Sequence, residues 1–189
     1  MKRVSPLLLL SLICCGLFPS AEATTVVPPT FKQLVNDAEF IFQGTATALN
    51  SFWTGEGAQR CIVTDVTFRV EDPIKGELGE TYTIRMLGGT VAGETMAVAE
   101  APKFTVGDRE ILFVEHDGMQ FIPFVGIMHG RFHLKRDADG HEMVTKVNGL
   151  PLANVEKLGI DERGAMTGPA VSVADFKAAI RKEATASSK

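Results

Sequence analysis

The feature that most limits the possible folds of this chain is a two-residue alternation of apolar and polar side chains. In the stretch CIVTDVTFRVE the apolar side chains share one phase, namely Ile62, Val66, Phe68 and Val70. The polar side chains share the other phase, namely Asp65, Thr67, Arg69 and Glu71. Successive side chains of a β-strand point to opposite faces of its sheet, so this pattern predicts antiparallel strands with one buried face.

Similar segments recur along the chain and are separated by turn residues such as Asp117-Gly118 and Asp139-Gly140. They are EFIFQGTATALN, TYTIRML, REILFVEH, residues 121–136 and HEMVTKV. From Ile122 to Leu134 the even positions are apolar or glycine, which predicts one continuous strand over residues 121–136, followed by a hairpin turn. The chain is therefore expected to be mainly β.

Two segments carry helix signals instead. Thr30 and Gln33 match a capping box, which predicts a short helix over Phe31–Asp37. Near the end of the chain, Ser172 can cap a second helix that continues to about Ala184. Its apolar residues lie at helical spacing, namely Val173, Phe176 and Ile180.

The first 23 residues have the layout of a secretory signal peptide. Lys2 and Arg3 precede the apolar run PLLLLSLICCGLF, and Ala21-Glu22-Ala23 supplies small residues two positions apart. We expect cleavage after Ala23 and a periplasmic or extracellular protein. This apolar run is shorter than the roughly 20 residues that a spanning helix needs, so we do not expect it to be an uncleaved membrane anchor. No membrane span is expected after the signal is removed.

Residues 24–189 suit a single domain with a proper core. Their 17 basic and 22 acidic residues give a net charge of −5. This mild acidity argues against nucleic acid as a partner, since nucleic-acid binding needs a concentrated basic surface. Cys61 is the single cysteine of this part, so an internal disulfide is excluded; the thiol is inert, pairs with another chain or is reactive.

The stretch GIMHGRFHLKR contains the sharpest candidate for chemistry. His129 and His133 could share a zinc ion on a helix, but in a strand their Cα atoms would lie about 13 Å apart. Arg131 between them also disfavours a cation, so we expect no metal and no cofactor. Two interpretations of this stretch stay open: a basic stripe that meets an anion, formed by His129, Arg131, His133 and Lys135, or an ordinary solvated strand face.

Other candidates for a site are fewer. Phe52 and Trp53 lie in an apparent loop, where aromatic side chains could contact a ligand or cover one end of the core. A thiol enzyme could pair Cys61 with His116 or His133. The chain has no G-x-S-x-G motif and no phosphate-binding glycine loop, and DADG is interpreted as a turn because the later calcium ligands are absent.

The order of segments also resembles that of netrin-like and tissue-inhibitor-of-metalloproteinase-like domains. The resemblance spans residues 37–114 and rests on DAEFIFQGTATAL, the Lys75-Gly76 turn after VTFRVEDPI, and the F-x-x-G of Phe104 and Gly107 before ILFV. It implies an OB-type barrel of five strands. The zinc-chelating N-terminal cysteine of those inhibitors has no counterpart near Thr24. The chain is also similar to uncharacterised exported bacterial proteins.

We therefore predict a mainly β fold: an OB-like antiparallel barrel of five to seven strands, with a short N-terminal helix and a C-terminal helix. Residues 1–23 form the signal peptide, 24–150 the barrel domain, and 151–189 a loop and a C-terminal amphipathic helix. The predicted function is an exported, non-catalytic binding module for a protein or a small anionic ligand. The alternatives are a thiol-dependent hydrolase using Cys61 and a structural envelope component.

Overall fold

The structure is a computed structural model that describes residues 27–99 and 101–187. The helices are α1 (Phe31–Asp37), α2 (Glu162–Ala165) and α3 (Val173–Ser187). The strands are β1 (Phe40–Thr54), β2 (Cys61–Lys75), β3 (Thr81–Leu87), β4 (Gly89–Val91), β5 (Glu94–Met96), β6 (Arg109–Val114), β7 (Arg131–Arg136) and β8 (Glu142–Lys146). The predicted signal peptide and its cleavage site lie outside the described residues.

Both predicted helices are confirmed. Thr30 caps α1 through a capping box in which its hydroxyl accepts the Gln33 N–H, while the Gln33 side chain accepts the Thr30 N–H. Helix α3 buries the three apolar residues that share its inner face, namely Val173, Phe176 and Ile180. Among the helices of the described residues, none combines the length and the apolar composition needed to span a bilayer.

Six strands form one antiparallel sheet in the order β3-β2-β1-β6-β7-β8, so the predicted mainly β class is confirmed and the predicted closed barrel is wrong. Closure would require β3 to pair with β8, but other segments occupy both edges. On the β3 edge, Asp117 accepts the Arg85 N–H and the Phe121 carbonyl accepts the Leu87 N–H. On the β8 edge, bridges to Pro151 and Ser172 take the place of a strand.

The two faces of the sheet bury separate cores. On the first face, helices α1 and α3 cover the strands, and Phe176 packs between Phe113 and Phe132 with ring centroids 6.2 and 4.9 Å away. On the second face, the rings of Phe68 and Phe124 flank that of Phe104 at 5.4 and 6.0 Å. Irregular segments rather than helices cover this second face, and the candidate site lies there.

The predicted continuous strand over residues 121–136 is wrong in its first part. Strand β7 begins at Arg131, and residues 125–130 form successive turns. Gly126 and Ile127 both have positive φ values, 62° and 64°, which a strand cannot contain. A Cβ atom on Gly130 would lie 2.8 Å from the Phe113 carbonyl oxygen, so the chain turns here against β6 at a distance that only glycine allows.

Candidate functional site

A row of polar side chains crosses strands β6, β7 and β8 on the second face of the sheet. Glu110 pairs with His133 in the register between β6 and β7, and His133 pairs with Thr145 between β7 and β8. Directly opposed residues of antiparallel strands project to the same face, so the three side chains are neighbours. Arg131 lies two residues before His133 and therefore on the same face.

Glu110 is the centre of this row and is fully buried, with 0% relative exposure. Arg131 Nε donates to Glu110 Oε2 at 2.9 Å, and Arg131 Nη2 donates to Oε1 at 2.6 Å. His133 Nδ1 lies 3.2 Å from the same Oε1. This two-pronged contact is the strongest form of a carboxylate–guanidinium pair, and it fixes the orientation of both side chains.

The charge state of Glu110 follows from these contacts. Burial opposes ionisation of the carboxyl group, but hydrogen bonds from His133 and Arg131, together with the charge of Arg131, outweigh that effect and hold the pKa of Glu110 below its ordinary value. The carboxylate is thus charged near neutral pH. With Nδ1 of His133 directed to this carboxylate, Nε2 is the ring nitrogen left to meet other groups.

A segment of irregular chain, residues 101–104, passes over Arg131. The Lys103 carbonyl accepts a hydrogen bond from Arg131 Nη2 at 3.3 Å, and the Arg131 Cζ lies 3.7 Å from the centroid of the Phe104 ring. Between this segment and the sheet lies a cavity of about 290 Å³. Arg131, His133 and Lys103 line it, and its remaining walls are apolar, namely Ala101, Pro102, Met128 and Val147.

Three nitrogen groups of the cavity keep hydrogen-bonding capacity. Within residues 27–99 and 101–187, the structure shows no partner for Arg131 Nη1, for His133 Nε2 or for the ammonium group of Lys103. A guanidinium group has five N–H donors, and three contacts to Glu110 and Lys103 use only part of them. The cavity therefore presents cationic donors to a small group that accepts hydrogen bonds.

The predicted stripe of residues 129–135 is divided rather than continuous. Arg131 and His133 lie together at the cavity, and Arg131 is only 4% exposed, so it is not a solvated side chain. His129 lies in the turns before β7, where burial and the nearby positive charge of Lys146 lower its pKa while Glu162 opposes them. Lys135 is exposed on β7 and does not line the cavity.

The aromatic pair of the sequence analysis is part of a strand. Phe52 and Trp53 lie in β1, so their predicted loop placement is wrong. Each is half-buried and is covered by a guanidinium group: Arg85 Cζ lies 5.1 Å from the Phe52 ring centroid, and Arg60 Cζ lies 4.1 Å from that of Trp53. Each cation–π contact occupies one face of its ring.

The structure does not bring Cys61 and His133 together. The row through His133 and Glu110 continues to Gly44 on β1 and to Val70 on β2. Cys61 precedes Val70 by nine residues of β2, which is about 30 Å at the rise of a strand. His116 Nδ1 instead contacts Gln120 Nε2 at 2.9 Å. Thr145, next to His133, is no substitute nucleophile, because its hydroxyl oxygen is buried and unpartnered within the described residues.

One group of side chains has the composition of a metal site. Ligand atoms of Asp137, Asp139 and His141 lie within 4.8 Å of one another in the turn between β7 and β8, and all three residues are exposed. Asp137 Oδ1 accepts the backbone N–H groups of Asp139 and His141 at 3.0 and 2.9 Å. An aspartate that bonds the backbone two residues onward is a common turn element, which agrees with the turn interpretation of DADG.

Sequence reasoning missed Glu110, Lys103 and Phe104 as neighbours of the site. A signal for Glu110 was present, because it shares the phase of Leu112 and Val114 in β6 and so occupies a position where an apolar residue is expected. A carboxylate at such a position requires a buried cation or several hydrogen bonds. The sequence does not say which of its basic residues supplies them.

No protein-family model matches this chain, and no curated protein is significantly similar to it in sequence.

Proposed function

We propose that the protein is a non-catalytic binding module that holds a small anion in the cavity over Arg131 and His133. The observation that carries this proposal is the cavity-lining guanidinium group, which is buried and fixed by Glu110 while its Nη1 remains uncommitted among the described residues. A fixed donor loses little conformational entropy when a ligand binds. Lys103, on the opposite wall, adds a second positive charge.

Charge and size define the ligand class. Glu110 neutralises Arg131, so Lys103 provides the net positive charge of the cavity. A volume of about 290 Å³ lies at the lower end of the range for small-molecule pockets, which favours a carboxylate or an inorganic oxyanion. Apolar walls lower the local dielectric constant and strengthen such contacts.

The proposal is tested by titrating the protein calorimetrically with formate and with sulfate. The informative variant is Lys103→Gln, and Lys135→Gln is the matched control because it removes the same charge from an exposed position outside the cavity. We expect Lys103→Gln to bind about tenfold more weakly, as for the loss of one charged hydrogen bond. Undetectable binding, or an equal loss in Lys135→Gln, would contradict the proposal.

We also propose export to the periplasm or the cell exterior and a relationship to netrin-like domains. Both come from the sequence: export from residues 1–23, and the relationship from the segment order between residues 37 and 114. An exported protein would meet solutes of the surrounding medium directly. Mass spectrometry of the mature N-terminus would test cleavage after Ala23.

A further inference from the structure

A second cavity, of about 510 Å³, lies on the same face of the sheet but toward β3. The hairpin of β4 and β5 covers it, together with residues 97–98 and 101–104. Its walls are mostly apolar, with side chains of Leu49, Val66, Met86, Met96, Val98 and Phe104. Its volume is within the range of about 300–1,000 Å³ that is usual for small-molecule sites.

The polar end of this cavity is a pair of hydroxyl groups on neighbouring strands. Ser51 and Thr64 pair in the register between β1 and β2, and their hydroxyl oxygens lie 2.8 Å apart. Thr64 Oγ1 donates to the Gly88 carbonyl oxygen at 2.7 Å. A hydroxyl group has one proton, so Ser51 must donate its own proton to Thr64. Ser51 Oγ therefore presents only lone pairs to the cavity.

Glycine brings the hairpin against this hydroxyl pair. Gly89 has a φ of 141°, and a Cβ atom at this position would lie 2.6 Å from Ser51 Oγ and would also clash with Thr64 Oγ1. Any larger residue would push the hairpin away from the hydroxyl groups. The close approach thus fixes the distance between the hairpin and the Ser51–Thr64 hydroxyl pair.

We propose that this second cavity binds an uncharged small molecule with an apolar body and one N–H or O–H donor, which donates its hydrogen bond to Ser51 Oγ. The apolar side chains, including two flexible methionines, suit a planar or branched hydrocarbon body. The hydroxyl arrangement disfavours an anion at this end of the cavity, because an anion would meet lone pairs. The site is separate from the anion site, although residues 101–103 form part of both walls.

Indole and 1-methylindole form a suitable probe pair, because they share an apolar bicyclic body and only indole has an N–H donor. The dissociation constants of both are measured by nuclear magnetic resonance titration of the isotope-labelled protein. We expect indole to bind at least about fivefold more tightly than 1-methylindole, which corresponds to one net hydrogen bond. Shifts should concentrate at Gly88, Gly89 and Thr95.

Two variants separate the hydrogen bond from general packing. In Ser51→Ala the two probes should bind with about equal affinity. In Thr83→Ala it should stay unchanged, because Thr83 belongs to a similar hydroxyl pair with Thr67, at 3.0 Å, outside the cavity. The proposal is overturned if neither probe binds, if the shifts lie elsewhere, or if Ser51→Ala retains the preference for indole.

Discussion

Replacing Arg131 with methionine should destabilise the protein strongly, because it removes the guanidinium group that makes a two-pronged salt bridge with Glu110. Glu110 has no exposure to solvent, so the change leaves a buried carboxylate that has lost its guanidinium partner and keeps only the His133 contact among the described residues. Such a change costs about 3–5 kcal/mol of unfolding free energy. For a chain of this length, that corresponds to a fall in melting temperature of about 6–20 °C.

Two further variants show whether burial causes this cost. Arg85 makes the same two-pronged contact with Asp65, at 2.7 and 2.8 Å, but its side chain is 54% exposed. Arg85→Met should therefore cost at most about 1 kcal/mol. The double change Glu110→Leu with Arg131→Met removes both charges and should recover most of the stability lost in Arg131→Met.

Urea unfolding followed by circular dichroism and by the fluorescence of Trp53, the single tryptophan, gives these free energies. A cost of less than about 1 kcal/mol for Arg131→Met would contradict this prediction. A double variant that is no more stable than the single one would also contradict it, because the cost would then not arise from a buried carboxylate without its guanidinium partner.

Three other predictions concern acid stability, the helical core and the end of α1. Because the pKa of Glu110 is lowered on folding, its contribution to stability is complete above its unfolded pKa and is lost as the pH falls through the folded pKa. The free energy of unfolding in urea should therefore fall less with acid in Glu110→Gln than in the wild-type protein. Phe176→Ala should lower the free energy of unfolding by about 3–5 kcal/mol in the same assay, because this ring is fully buried between α3 and the sheet. Lys75→Met should lower the melting temperature more than Lys135→Met does, because Lys75 Nζ donates to three carbonyl oxygens near the end of α1, those of Val35, Asn36 and Ala38.

The elements that local sequence rules specify were predicted well. The capping box of Thr30 and Gln33 and the apolar spacing of α3 depend on residues three or four positions apart, and both are present. The alternation in CIVTDVTFRVE likewise follows from a single strand, and Val66 and Phe68 are buried on one face. Such signals need no knowledge of the rest of the fold.

Features that depend on distant segments were not predictable in the same way. An open sheet and a closed barrel require the same alternation of apolar and polar residues. They differ in which groups form hydrogen bonds with the backbone of the edge strands. Here Asp117 and Phe121 bond the β3 edge, from a turn more than 30 residues away in sequence. The two-residue pattern of residues 121–130 had a similar ambiguity, because closely packed turns bury Ile122 and Phe124 as a strand would.

The candidate site was predicted in part. Arg131 and His133 were identified as basic residues on one strand face, and they do share a face, but their burial depends on Glu110, 21 residues before Arg131. The sequence pattern gave no pairing between those strands, so an exposed stripe and a buried ion pair were indistinguishable. Only the register places the carboxylate of Glu110 against Arg131 and His133.

The most direct test of anion binding over Arg131 and His133 is a nuclear magnetic resonance titration of the isotope-labelled protein with sulfate, which gives both the affinity and the place of binding. The account predicts that the shifts concentrate at Lys103, Arg131 and His133 and that Lys103→Gln weakens binding about tenfold. Shifts that lie elsewhere, or an affinity that is unchanged in Lys103→Gln, would contradict it.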